Sequence, residues 1–217
     1  MVNELFKAIA ENNLASFREL LASYPSLADA RSGHGVSAIL FAIYHGRPEC
    51  ARELVKAGAP VGIHEAAALG DLALVRKMVE ADPGIVNAYS DDGFQPLGLA
   101  SYFGNPEVAS YLLENGADPD SPSRNAQRVA PIHSAAASGI SQLVSELIVK
   151  GADVNARQQG GYTALHAAIQ NRDLNTIRIL VENGADCGAE NDSGQTPKDF
   201  AQKDNVEEVH RILRSCT

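Results

Sequence analysis

Apolar residues along this chain fall into short stripes at helical spacing, and the stripes come in pairs. The clearest pair lies between Gly161 and Asp186. Leu165, Ala168 and Ile169 mark one face of a short helix, and Ile177, Leu180 and Val181 mark a second. Thr163 stands where a hydroxyl caps the first helix. Gly184 stands where a left-handed residue ends the second. Two helices and their turn make one unit of about 33 residues. The same alternation divides the chain into about seven units, approximately 3–30, 31–61, 62–88, 89–120, 121–155, 156–188 and 189–217, with no linker.

The residues that open and close these units are more specific than the periodicity. Gly161-Tyr162-Thr163-Ala164-Leu165-His166-Ala167-Ala168 is followed by Glu182-Asn183-Gly184-Ala185-Asp186, and both runs resemble the ankyrin repeat. The resemblance implies an all-α solenoid of about seven helix-turn-helix units with projecting β-hairpin fingers. It also implies a single domain whose concave face and finger tips bind another protein.

Departures from the pattern fall at particular places. Lys7 and Glu11 give the first unit a polar outer face, and Lys198 and Asp199 replace leucine and histidine in the last, so these units read as caps. In the third unit Gly58-Ala59-Pro60-Val61-Gly62 runs straight into Ile63-His64. No finger fits there, and the row of fingers is expected to have a gap. Shifted by 58 positions, residues 4–60 fall on 62–118 with roughly a third of the positions identical, including Tyr44/Tyr102 and Pro25/Pro83. Units one and two thus read as a duplicated pair with units three and four. Asn105 is expected to cap the second helix of unit four. Arg172 occupies a turn position where the family has glycine, which predicts backbone strain.

Composition narrows the functional classes. A net charge of −9 argues against nucleic acid as the main ligand. No apolar run reaches the roughly 18 residues of a membrane span, and residues 2–10 lack the features of a signal peptide. Cys50, Cys187 and Cys216 are odd in number and lack metal spacing, so free thiols and a cytoplasmic location are expected.

Candidate chemistry is sparse. His64, His133 and His166 occupy the Leu-His position of their units, where an imidazole bonds loop backbone of the next repeat. His64-Glu65 lacks the second histidine of a zinc-protease helix, and Ser134 lacks a nucleophile elbow. Asp91-Asp92 reads as a solvated turn rather than a calcium loop. The sequence therefore predicts no catalysis, no cofactor and no metal, in a chain that is monomeric when alone.

The family resemblance places the exposed positions of each first helix just before the helix-helix turn. They are Ala10-Glu11, Tyr44-His45, Ala68-Leu69, Tyr102-Phe103, Ala137-Ser138, Gln170-Asn171 and Lys203-Asp204. With the finger tips they give a partner-binding set of Tyr44, His45, Leu69, Tyr89, Asp91, Asp92, Phe94, Tyr102, Phe103, Arg124, Arg128, Arg157 and Tyr162. Aromatic and arginine side chains are common interface anchors. Equally, Tyr44 and Tyr102 could pack on each other's repeats. Ala68 and Leu69 stand between the Tyr44 and Tyr102 sites and join them into one patch that, at roughly 10 Å per packed helix, would span about 20 Å. A second reading is a small-ligand or nucleotide sensor built on Arg124, Arg128 and Arg157 beside Tyr89. A hydrolase working through His133 is the third.

Overall fold

The computed structural model describes residues 1–201 in full, the backbone of 202–204, residues 207–214 and residue 216. Its helices pair as α1 (Val2–Ala10) with α2 (Leu14–Ser23), α3 (Ala38–Tyr44) with α4 (Pro48–Lys56), and α5 (Ile63–Leu69) with α6 (Leu72–Ala81). Then follow α7 (Pro96–Tyr102) with α8 (Pro106–Glu114), α9 (Pro131–Ala137) with α10 (Ser141–Val149), α11 (Ala164–Gln170) with α12 (Leu174–Glu182), and α13 (Pro197–Asp204) with α14 (Glu207–Leu213). First helices pack on first helices in one row from α1 to α13, and second helices form a second row from α6 onward. The result is an all-α solenoid.

The helix-helix turns share one backbone conformation. Asn12, Gly46, Gly70, Gly104, Gly139 and Arg172 all have positive φ, 57° at Arg172. Glycine adopts that region freely, and a side chain there is strained. Asn13, Ser37, Asp71 and Asp173 cap their helices through side-chain oxygens. Two expected caps are absent. The Thr163 hydroxyl bonds His166 Nδ1 at 2.9 Å instead of a helix N–H. Asn105 turns away from its helix and donates to the carbonyls of Ala67 and Ala68, both at 2.9 Å.

The correspondence at 58 positions extends to these contacts. Arg47, 58 positions before Asn105, donates to Ile9 and Ala10, which lie 58 before Ala67 and Ala68. Both odd units also end in the same proline-led 3-10 turn, Pro25–Asp29 and Pro83–Asn87.

Fingers are tight loops rather than strand pairs. The Ser32 N–H donates to Val36, Ser90 to Phe94, Ser123 to Val129, Gln158 to Tyr162 and Asn191 to Gln195. Arms this short cannot build a ladder, and among the described residues a single antiparallel bridge, Arg31 to Ser37, is formed. Adjacent fingers are joined by backbone bonds. Arg124 N–H donates to Gly93 at 2.8 Å, Gln159 to Gln127 at 2.8 Å, and Asp192 to Gly160 at 2.9 Å.

Unit three has no finger, as its short entry loop predicts, yet the row is not left open. The Arg31 guanidinium donates to the Gly35 carbonyl at 2.9 Å and pairs with Asp91 at 3.2 Å. Tyr44 donates its hydroxyl to Asp92 at 2.6 Å. Side chains of unit two thus reach the finger of unit four. Gly35 permits the approach, because a Cβ there would stand 2.8 Å from Asp91 Cβ.

The apolar core divides at the same level. One cluster runs from Leu5 to Ala59 and a larger one from Ile63 to Leu213, and the half-buried Val61 packs against both. Glu65, on the first helix of unit three, is buried and accepts from the Ser37 hydroxyl at 2.8 Å and the Gly62 N–H at 3.0 Å. The expectation of three free thiols is corrected. Cys187 and Cys216 form a disulfide, with Cα atoms 6.1 Å apart, and Cys50 alone is free and buried. Repeat packing brings the entry of the last finger beside the chain beyond α14, a proximity that spacing does not disclose.

Candidate functional site

The three Leu-His histidines are held in structural bonds. Nε2 of His64 bonds Ala88 O at 2.9 Å, that of His133 bonds Ala156 O at 2.9 Å, and that of His166 bonds Gln195 O at 3.3 Å. Nδ1 of His133 accepts from the Ala130 N–H, and Nδ1 of His166 from the Thr163 N–H. Each of these two rings is therefore a neutral tautomer with its proton on Nε2. Burial lowers the pKa of both.

Unit four has Gly98 where those histidines stand, and this change shapes the concave face. A Cβ built on Gly98 would have no neighbour within 4 Å. Gln95, at the start of the same helix, donates to Asn87 O at 3.0 Å in the preceding 3-10 turn, while its buried Oε1 has no protein partner. The open space belongs to a groove of about 560 Å3 across units four to six. Gly98, Leu99, Val129, Ala137 and Ala167 are the small or apolar part of its lining, Phe94 and Tyr102 with Tyr44 of unit two the aromatic part, and Gln127, His133, Ser134, Gln158 and Gln159 the polar part.

The expected binding residues divide between packing and display. Tyr44, Phe94 and Phe103 are half-buried against Leu40, Ala68 and Leu99. Ala68 is itself buried, against the expectation that it is exposed. Because that residue is small, rings from units two and four meet across unit three. The Tyr44 and Phe103 rings lie 5.7 Å apart, so the two aromatic sites of the expected patch meet directly. Burial, followed by the bond to Asp92, raises the Tyr44 pKa well above the ordinary phenol value. Tyr102, edge-on to Phe103, is 55% exposed.

Other residues of the set have separate surroundings. His45 is exposed and stacks on Phe41 at 4.0 Å, and Leu69 packs on the N-terminal core. Tyr162 meets His166 and Phe200 edge-on. The Tyr89 hydroxyl bonds Ser121 and Pro122, and Arg124 covers its ring at 3.7 Å. A nucleotide base therefore has to displace Arg124 to stack there. Arg124, Arg128 and Arg157 are exposed. The side chains of Lys203 and Asp204 lie outside the described residues.

Gly98 and the three glutamines were not among the residues expected to line the site. The departure of Gly98 from the Leu-His motif is visible in the sequence, but its result, an open floor, depends on the neighbouring units. No group of three or more His, Cys, Asp or Glu is placed to hold a metal ion among the described residues, and no helix there is long and apolar enough to cross a membrane.

The fold and its motifs define a repeat protein, and comparison with known proteins says which kind. A family model described as ankyrin repeats (3 copies) matches residues 5–123, 63–158 and 132–216. The chain belongs to the ankyrin repeat family. It is 28% identical over 222 residues to the B-cell lymphoma 3 protein homolog of Mus musculus, covering 94% of this chain and 49% of that protein. It is 31% identical over 175 residues to ankyrin repeat and SOCS box protein 16 of Homo sapiens, covering 73% and 38%. Against alpha-latrocrustotoxin-Lt1a of Latrodectus tredecimguttatus it is 33% identical over 146 residues, covering 66% and 10%. The chain thus spans half or less of the length of these relatives.

Proposed function

We propose that this chain is a non-catalytic protein-interaction module, an adaptor, inhibitor or scaffold, that takes a segment of a partner protein into the groove of units four to six. The carrying observation is the pairing of an open floor at Gly98 with an exposed aromatic, Tyr102, on the same groove. A large rigid ring beside a pocket is the usual form of an interface anchor. Ankyrin repeats are in general protein-binding modules, which supports the class of partner. The histidines support the absence of catalysis, since their ring nitrogens hold backbone groups. We take the chain to act as a monomer on a protein rather than on nucleic acid, given its net charge of −9.

Location follows the thiols. A cytoplasmic chain would hold Cys187 and Cys216 reduced, whereas an oxidising compartment would keep their bond. The reading is tested with peptides selected by phage display against the full chain. Tyr102→Ala should weaken their binding by about 2 kcal/mol or more, with little change in the urea midpoint. Unchanged affinity, or a loss of binding that only tracks a loss of stability, would remove this groove.

A further inference from the structure

Charge on the fingers beside the groove runs against that of the whole molecule. Residues 121–130 and 156–163 carry Arg124, Arg128 and Arg157 and no Asp or Glu, in a chain of net charge −9. None of the three has an ion-pair partner among the described residues. Most of the nearby acids have partners of their own, while Asp192, on the next finger, is exposed. Asp91 pairs with Arg31, and Asp92 accepts from Tyr44 and Ser90. Asp118, Asp120 and Asp153, in the loops leading into these fingers, accept backbone N–H groups.

The backbone that carries the arginines is also tied. The backbone bond from Gln159 to Gln127 at 2.8 Å joins the two fingers that carry them, and both glutamines line the groove. The longer fifth finger is tied by bonds from Val129 N–H to Ser123 Oγ, from Gln127 N–H to Asn125 Oδ1, and from Asn125 Nδ2 to Asp92 O. That loop holds Arg128 at φ 49°, a strained conformation for a side chain. Arg124 lies flat on Tyr89, which leaves its guanidinium edge free to meet a carboxylate.

From this arrangement we infer that the segment held in the groove is acidic: a peptide that seats an apolar side chain over Gly98 beside Tyr102 and sets carboxylates against Arg124, Arg128 and Arg157. This rests on the proposed groove function and adds the chemistry of the partner. Arginine suits the task because its planar fork meets a carboxylate with two parallel bonds. The opposite charge on the two sides would also speed encounter and exclude basic segments.

The probes are the display-selected peptides, bound to the full chain as fluorescein conjugates. The selected pool should be rich in Asp and Glu around one large apolar residue. Arg124→Gln/Arg128→Gln/Arg157→Gln should weaken binding tenfold or more at an unchanged urea midpoint. Raising salt should weaken the wild-type complex more than the triple variant's. A neutral or basic pool, or equal affinity for the triple variant, overturns the inference. If Tyr102→Ala still abolishes binding in that case, the groove function stands without it. Peptides insensitive to both variants, or no enrichment at all, overturn both. Displacement of the peptides through these arginines by ATP or a single-stranded oligonucleotide at lower concentration than free acidic peptide would assign the site to phosphate instead.

Discussion

Gly98 shows how one missing side chain alters both stability and surface. It lies inside α7, where glycine costs about 0.5–1 kcal/mol relative to alanine, and a Cβ there meets no neighbour. Gly98→Ala should therefore raise stability by up to about 1 kcal/mol, read as a shift in the urea midpoint. A destabilised variant would show that the floor is closed. His133 and His166 make a second prediction at this scale. Burial lowers both pKa values in the folded state, so as pH falls below about 6.5 the unfolded chain takes up protons first. Their contribution is complete above that pH and is lost as pH falls through it toward the folded values. Urea midpoints at pH 7.5 and 5.5 should fall further for the wild type than for His133→Gln or His166→Gln. Equal falls would show that other groups govern the acid response.

The fingers act as elements of one row, and the row continues where one is missing. Between units four and seven each link is a backbone bond, whereas between units two and four it is Arg31 to Asp91 and Tyr44 to Asp92. These substitutes differ in strength. The Arg31–Asp91 pair is exposed on both sides and is worth at most about 1 kcal/mol. The half-buried bond from Tyr44 to a carboxylate is worth about 1.5–3 kcal/mol. Tyr44→Phe should then destabilise more than Arg31→Ala, by denaturant melts of both. The reverse order would make the ion pair the principal link.

At the scale of the molecule, the division of the main core between units two and three predicts that the first two units open as a block of their own. In a stacked array, stability is a sum of unit and nearest-neighbour terms, so one interface opens before the rest. Hydrogen exchange should show residues 1–60 opening more readily than 95–180, and uniform protection would contradict the division. The other end carries the opposite device. The Cys187–Cys216 bond closes a separation of 29 residues around the last unit, and a loop of that size contributes roughly 3 kcal/mol by restricting the unfolded chain. Reduction should lower the melting temperature and loosen residues 189–201 first. An unchanged melt under non-reducing and reducing conditions would mean that the bond does not hold in solution.

What the sequence determined by itself is local or periodic. Apolar stripes placed the helix pairs, glycines and their substitutes marked left-handed turns, and the short run from Gly58 to Gly62 excluded a finger. Each depends on residues within a few positions of one another, where spacing and backbone preference suffice. The rest waited on the tertiary structure, because it depends on residues from different units. Asn105 has the chemistry of a helix cap, but the carbonyls of Ala67 and Ala68 lie within its reach and take its amide. Tyr44 is an exposed position on the repeat template, yet the missing finger lets it reach Asp92 and the small Ala68 lets it meet Phe103. The groove over Gly98 depends on unequal neighbours, because unit four lacks the histidine that units five and six keep, and Ala137 and Ala167 from those units continue its lining. A repeat sequence fixes the form of each unit, and the fit between unequal neighbours decides which side chains remain at the surface.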